Sequence, residues 1–195
     1  MVPFVKQYPD SPPAGYPVEL EQKLLLPTGE VLWMRPVVPA DAAILAAEFA
    51  AADDDTLYSR FFTPSFVLTQ DRLRYLTELD YTTHLALAVM AVGGDESEGI
   101  AIGRYAARTS TDVEAAIVVK PDFRCLGIAG LLVEHLTTAA ARHGYSTMSA
   151  SHLAGNVAAA RLLASLGFRG GVLQDGVVVG AWRPLTVDPA SIGSA

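Results

Sequence analysis

In the first third of the chain, the pattern of hydrophobic and polar residues predicts a β-hairpin followed by two helices. Strand-like segments flank Pro27-Thr28-Gly29, a sequence typical of a tight turn. The mostly apolar segment after Pro39 predicts an amphipathic helix, and Thr69 is suited to cap a second helix over residues 69–80. The polar segment between the two helices, residues 53–66, predicts a loop.

From residue 84 onward, the pattern predicts strands first and then an alternation of strands and helices. The predicted order is strands over residues 84–92, 99–109 and 112–119, a helix over 126–143, a strand over 146–153, a helix over 156–166, and strands near Val172 and over 176–184. Gly144 and Gly167 follow the two helices, where glycine is a typical stop. This order predicts one mixed α/β or α+β domain over residues 16–184.

The two ends of the chain differ from this central domain. Residues 1–17 contain five prolines, so we expect residues 1–15 to form an extended arm rather than a helix. Residues 185–195 are expected to be a flexible tail. The whole chain has 195 residues and is 51% hydrophobic, which suits a single globular domain with a sizeable core.

Charge and composition narrow the cellular setting and the classes of partner. The formal net charge of −7 argues against a nucleic-acid-binding surface, which is usually basic. No uncharged apolar run reaches the roughly 18 residues of a membrane span, and the first residues lack the apolar segment of a signal peptide. The single cysteine cannot form an internal disulfide. These features predict a cytoplasmic protein without a nucleic-acid or membrane partner.

Residues 118–130 place a short turn between a strand and a long helix. A helix N-terminus exposes unpaired N–H groups and the positive end of the helix dipole, so it attracts anions. Gly127 and the small Ala129 let a ligand approach the backbone closely, and Arg124 adds a guanidinium for phosphate oxygens. The turn therefore predicts a phosphate or pyrophosphate site.

The motifs at and after this turn resemble those of one enzyme family. The P-loop pattern is absent, and Gly127 and Gly130 are spaced wrongly for a dinucleotide-binding G-x-G-x-x-G. What remains is R-x-x-G-x-A at residues 124–129, which resembles the coenzyme A pyrophosphate loop of the GNAT N-acetyltransferases. The helix that Asn156 begins, and that ends in Leu-Gly-Phe, resembles the family's next motif.

The resemblance extends over about residues 16–184. Segments 16–20, 26–42, 58–62 and 76–89 look like the GNAT domain of bacterial protein lysine acetyltransferases. This resemblance implies a GNAT fold, with a mixed, mostly antiparallel sheet of about six to seven strands, about four helices and an extra N-terminal hairpin strand. It also implies acetyl-CoA as co-substrate, no metal, a protein lysine as acceptor, for example on an acyl-CoA synthetase, and a monomer or homodimer.

The resemblance also implies a set of cofactor-binding residues. Backbone N–H groups at the strand end would bond the pantetheine arm, and the turn would hold the pyrophosphate. The residues concerned are Val118, Val119, Arg124, Cys125, Leu126, Gly127, Ile128, Ala129, Gly130 and Asn156. Two ordinary structural roles stay open beside these: the valines also suit the core, and Asn156 also suits a helix N-cap.

Glu114 stands at the start of the strand that leads into the turn, where relatives of this type place a catalytic glutamate. A lysine amine has a pKa of about 10.4 in water, so it must lose a proton before it attacks a thioester. A carboxylate can accept that proton directly or through water. The apolar residues 115–118 are expected to raise the pKa of Glu114. The alternative is a solvated carboxylate at a strand edge.

Several positions depart from the family pattern. Many GNAT enzymes carry a tyrosine acid seven residues after the asparagine, but this chain has Leu163, which leaves Tyr105 and Tyr145 as candidate proton donors. Cys125 and Leu126 occupy loop positions where the family often has glycine or basic residues. Cys125 is either a thiol with a lowered pKa at a helix N-terminus or a small apolar residue.

Two further groups of residues have both a structural and a functional interpretation. The four histidines are scattered without the spacing of a metal site, so we interpret them as structural. The acidic residues 53–55 are either a solvated loop or an attraction for a basic protein substrate. Arg60, Phe61 and Phe62 either shape an acceptor groove or, for the phenylalanines, pack in the core.

Three functions are compatible with these observations. The first is a protein lysine acetyltransferase, the second a GNAT enzyme with a small-molecule amine as acceptor, and the third a non-catalytic acyl-CoA sensor. Glu114 argues against the third, because a pure binder does not need a base.

Overall fold

A computed structural model describes residues 12–63, 66–91 and 98–185 of the chain. Most of the predicted arm and nearly all of the predicted tail lie outside the described residues. Where described, the chain forms one eight-stranded sheet with helices on both faces. No helix in these described ranges is long and apolar enough to cross a membrane.

The sheet is mixed and mostly antiparallel, as predicted. Its spatial order is β1-β2-β3-β4-β5-β6-β8-β7, and only the pairing of β5 with β6 is parallel. The strands are β1 (Gln22–Leu25), β2 (Val31–Pro36), β3 (His84–Ala91), β4 (Gly99–Ala107), β5 (Asp112–Val119), β6 (Thr147–Leu153), β7 (Val172–Gln174) and β8 (Val177–Pro184). The hairpin predicted around Pro27-Thr28-Gly29 is the β1–β2 pair at one edge of the sheet.

Within the described residues, five α-helices flank the sheet. They are α1 (Ala42–Ala51), α2 (Asp54–Phe61), α3 (Gln70–Thr77), α4 (Ile128–Arg142) and α5 (Val157–Ser165). Thr69 caps α3 as predicted, because its hydroxyl oxygen accepts a hydrogen bond from the Arg72 N–H.

The prediction of a loop over residues 53–66 is wrong for its first half, which forms α2. Asp54 and Asp55 lie in the first turn of this helix, where their negative charges interact favourably with the positive end of the helix dipole. Phe61 then stacks on Phe66 at 3.7 Å between ring centroids and approaches Phe49 of α1 at 5.7 Å. Tertiary packing of a few aromatic side chains therefore stabilises a helix whose overall composition is polar.

The main core lies between the sheet and α4. Leu132 and Leu136 are fully buried and lie over Gly103 of β4, where an added Cβ would be only 3.2 Å from each leucine. A smaller cluster of Val37, Ala86, Ala88 and Met90 lies on the other face of the sheet. Helix α4 is thus held firmly against the strands that precede it in the chain.

Replacing Leu136 with alanine is expected to lower the free energy of unfolding by about 3 kcal/mol, because a fully buried side chain leaves a cavity. Urea unfolding of the two proteins measures the difference. Glu134→Ala, on the exposed side of α4, is the matched control and should lower the free energy of unfolding by less than about 0.5 kcal/mol. Equal losses in the two variants would contradict this assignment of the core.

Candidate active site

The site begins where two neighbouring strands separate. The parallel ladder between β5 and β6 runs only from the Asp112–Thr147 pair to the Ala115–Ala150 pair. Beyond it β5 continues to Val119, while the last residues of β6 keep only their pairing with β8. The sheet therefore opens between the two strands after Ala115, and a wedge-shaped gap exposes backbone groups of β5.

The pairing of β5 with β4 on its other side determines which backbone amides of β5 face this gap. The Lys120 N–H donates to the Ile100 carbonyl at 2.9 Å, and the Arg108 N–H donates to the Asp112 carbonyl at 2.9 Å. Hydrogen-bonded pairs alternate along an antiparallel ladder, so the Val118 N–H also faces β4. The amides of Ile117 and Val119 point into the gap.

This alternation corrects one of the expected contacts. Val118 cannot offer its N–H to a ligand in the gap, because that group belongs to the ladder with β4. Ile117 takes its place beside Val119. Sequence reasoning missed Ile117 because the identity of the outward amides depends on how β5 pairs with β4, which the sequence of β5 does not show.

The turn after β5 ends at Gly127, which begins α4 in a left-handed backbone conformation. Gly127 has φ +83° and caps α4, and a Cβ added there would meet nothing within 4 Å. The first N–H groups of α4 have no acceptor inside the helix. Arg124 is exposed, and its Nε donates to the Val119 carbonyl at 3.3 Å, which ties the turn to the end of β5.

The remaining residues predicted in the turn divide between the core and the surface. Ile128 is buried, Leu126 packs against the core, and Ala129 and Gly130 are half-buried in the first turn of α4. Cys125 is exposed, with the left-handed φ of +63° that is uncommon for residues other than glycine. The turn thus presents backbone and small side chains outward.

Asn156 caps α5, since its Oδ1 accepts a hydrogen bond from the Ala159 N–H at 3.0 Å. Its N-cap role is therefore observed. Leu163, seven residues later, is buried in the core and offers no polar group to a ligand.

Glu114 lies on the face of β5 that is covered by α2 and α3. Its Oε2 accepts a hydrogen bond from Nη1 of Arg108 at 3.0 Å, and its Oε1 accepts one from Oγ of Ser151 at 3.4 Å. Val113 and Ile117 pack in the core on the opposite face, so only some of the apolar neighbours in sequence lie on the same face as the carboxylate. The side chain of Glu114 is 35% exposed, which leaves it accessible to a ligand.

A cavity of about 500 Å³, here called the acceptor cavity, opens beside this carboxylate. Its walls combine aromatic rings, two arginines and the groups around Glu114. They include Phe61, Phe62, Phe66, Arg72, Tyr75, Arg104, Glu114 and Ser151. Backbone groups of β5 from Ala115 to Ile117 also line it, so the gap and the acceptor cavity meet at these residues.

The family model described as Acetyltransferase (GNAT) family matches residues 54–168, more than half of the chain. The chain belongs to this GNAT family. It is therefore an acyltransferase by family, and the fold predicted from the turn and the Asn156 helix is confirmed.

Two curated relatives are bacterial acetyltransferases. The chain is 31% identical over 99 residues to Acetyltransferase PA5475 of Pseudomonas aeruginosa, covering 50% of this chain and 53% of that protein. It is 30% identical over 142 residues to Acetyltransferase Pat of Mycolicibacterium smegmatis, covering 72% of this chain and 42% of that protein. The chain therefore spans about half the length of these curated relatives.

Solved structures agree with this family assignment. The GNAT domain of S. lividans PAT matches with a TM-score of 0.76 and 27% identity, covering 87% of this chain and 99% of that one. The yncA protein of Salmonella typhimurium, solved with its cofactor acetyl-CoA, matches with a TM-score of 0.64 and 20% identity, covering 81% and 96%. At that identity the second match shows the shared fold alone.

In this GNAT protein, the two tyrosines considered as proton donors lie away from the acceptor cavity. Tyr105 is buried on the α4 side of the sheet, where its hydroxyl donates to the Thr82 carbonyl at 3.1 Å. Burial raises the pKa of Tyr105 well above its usual range. Tyr145 is also buried and contacts Tyr105 edge-on. Tyr75 of α3, which the sequence did not single out, lines the acceptor cavity instead.

The structure also shows where the histidines and the acidic residues 53–55 lie. Within the described ranges, no three His, Cys, Asp or Glu side chains gather where they could hold a metal ion. His84 is buried and lies 3.3 Å from Nη1 of Arg104. Of the acidic residues 53–55, the first precedes α2 and the other two lie in its first turn. Phe61 and Phe62 line the acceptor cavity, which supports the interpretation of these two phenylalanines as groove residues.

Proposed function

We propose that this GNAT protein transfers an acetyl group from acetyl-CoA to the ε-amine of a lysine on a protein substrate. One observation carries the proposal: β5 carries the Glu114 carboxylate, then the outward amides along the gap, and then leads into the turn at the start of α4. A thioester donor and an amine acceptor would meet at the junction of the gap and the acceptor cavity.

The donor would lie along β5. The pyrophosphate would take hydrogen bonds from the first N–H groups of α4, with Arg124 adjacent. The pantetheine arm would bond the Ile117 and Val119 amides in the manner of an added strand. This geometry would leave the thioester carbonyl close to residues 115–117, beside Glu114.

The acceptor would enter from the acceptor cavity. Glu114 would accept the proton of the lysine ammonium, and the neutral amine would attack the thioester carbonyl. The new C–N bond forms and the C–S bond breaks, so coenzyme A leaves as a thiolate. The nitrogen loses its second proton as the amide forms, and the thiolate takes up that proton through water. Aromatic walls suit the long apolar stem of lysine.

Protein lysine as acceptor is supported by the likeness to Acetyltransferase Pat and to the GNAT domain of S. lividans PAT. A small-molecule amine is the second candidate, because an acceptor cavity of about 500 Å³ is large enough for one. The two candidates share the donor site and the base, so the acceptor itself must be identified.

The deciding experiment incubates the purified chain and acetyl-CoA with a bacterial lysate and maps acetylated lysines by mass spectrometry. A few strongly modified lysines that are absent with Glu114→Gln, but present with Glu134→Gln, would support a protein acetyltransferase. Glu134 is an exposed carboxylate on α4, away from the site. If no lysine is modified while acetyl-CoA still binds, the proposal fails in favour of a small amine or a sensor.

The left-handed conformation of Cys125 leads to a separate prediction about the turn. Cys125→Gly should keep the KM for acetyl-CoA within about threefold, because glycine adopts this φ without strain. Cys125→Val should raise that KM about tenfold, because a β-branched residue resists it. Steady-state kinetics measure both. Equal losses in the two variants would mean that the thiol, rather than the backbone, is required.

A further inference from the structure

A second cavity, here called the α1 cavity, lies on the same face of the sheet as Glu114. It has a volume of about 410 Å³ and is enclosed by α1, α2 and the strands β3, β4 and β5. The helix above it is almost wholly apolar, yet none of the ten residues of α1 is fully buried. An apolar helix normally buries one stripe of its surface against the core. Here that stripe lies over a cavity instead.

The α1 cavity is lined mainly by apolar side chains. Ile44, Leu45 and Phe49 form its roof, and Ala88, Met90 and Ile102 form its floor. Its charged lining groups already have protein partners. Lys120 donates to Glu48 at 3.0 Å, and Asp41 accepts from Arg35 at 2.6 Å. An apolar ligand therefore suits the interior better than a charged one.

The α1 cavity adjoins the acceptor cavity. Phe61, Leu76 and Arg104 line both this cavity and the acceptor cavity. Val118 and Val119, at the strand end along which the donor would lie, form part of its wall. A chain attached to the thioester carbonyl can thus extend from the junction of the two cavities into the space beneath α1.

We infer that the α1 cavity binds the acyl chain of donors longer than acetyl, with about four to six carbons. This inference rests on the proposed function, since it places the coenzyme A ester along β5. An acetyl methyl group alone would leave most of the 410 Å³ unfilled. The class of ligand is an acyl-CoA whose acyl chain is unbranched and uncharged.

The test measures binding of acyl-CoA esters to the purified full chain by calorimetry, without any acceptor. Each methylene that enters an apolar cavity strengthens binding by about fourfold, so hexanoyl-CoA should bind on the order of 100-fold tighter than acetyl-CoA. Butyryl-CoA should fall between them. Equal affinity across the series would overturn the inference while leaving the proposed function intact. Failure of every ester to bind would overturn both.

Substitutions that fill the cavity make the test specific. Ala88→Leu from the floor and Ala52→Leu from the end of α1 should each reduce the ratio of hexanoyl-CoA to acetyl-CoA affinity at least about tenfold. Ala50→Leu, on the exposed side of α1, is the matched control and should leave the ratio unchanged. Thermal unfolding confirms that each variant is folded. If neither filling variant changes the ratio, the chain binds elsewhere and the inference is wrong.

Discussion

Replacing Glu114 with glutamine is expected to lower kcat for lysine acetylation about 100- to 1,000-fold, while the KM for acetyl-CoA changes less than about threefold. Glutamine keeps the size of the side chain and can still bond Arg108 and Ser151, but it cannot accept a proton from the acceptor ammonium. The loss should therefore appear in the chemical step rather than in donor binding.

Kinetics with a purified protein acceptor at varied acetyl-CoA concentration separate these two quantities. Glu134→Gln should show wild-type values for both, because that carboxylate lies on the exposed side of α4. A decrease in kcat of less than about fivefold for Glu114→Gln would identify Glu114 as a solvated strand-edge carboxylate. Tyr75, whose side chain also lines the acceptor cavity, would then be the next residue to replace.

The parts of the fold that the sequence predicts well are those with a local cause. Strand and helix order after residue 84 follows from hydrophobic periodicity, and the turn between β5 and α4 follows from the glycine that precedes the helix. The caps of α3 and α5 are also local, since Thr69 and Asn156 each bond an amide three residues later.

The parts that the sequence did not predict depend on contacts between distant segments. Helix α2 is stabilised by aromatic rings contributed by α1 and by the segment before α3. The surroundings of Glu114 depend on Ser151, which lies 37 positions along the chain. Only the pairing with β4 shows that Ile117, and not Val118, turns its amide toward the gap.

The same distinction explains the wrong expectation about the proton donor. Tyr105 is near the site in sequence but on the α4 face of the sheet, because strand residues alternate between faces. Tyr145 lies between α4 and β6 and packs edge-on against Tyr105. Tyr75 is far from the motifs in sequence, and α3 brings it to the acceptor cavity. Proximity to a motif along the chain is therefore a poor guide to which face a strand residue occupies.

The second large effect is expected on acetyl-CoA binding at the first turn of α4. Replacing Ala129 with aspartate is expected to raise the KM for acetyl-CoA at least about 100-fold, because a carboxylate in the first turn of α4 would repel the pyrophosphate. The same change should leave the protein as stable as the wild type or slightly more so, since a negative charge at a helix N-terminus contributes about 0.3–1 kcal/mol. The variant should thus bind acetyl-CoA more weakly while its free energy of unfolding stays the same or rises slightly.

Ala129→Asn is the matched control, because it has the size of aspartate without the charge. We expect it to raise the KM only about tenfold, through crowding of a half-buried position. The difference between the two variants should shrink as salt is added, since added ions screen the repulsion. Equal effects of Asp and Asn would show that space rather than charge limits the site, and unchanged kinetics in both would place the pyrophosphate away from α4. Because thermal unfolding of the Asp variant reports on the helix itself, a large KM with undiminished stability would show that the change acts on donor binding and not on the folding of α4. The comparison with Ala129→Asn then separates charge from crowding.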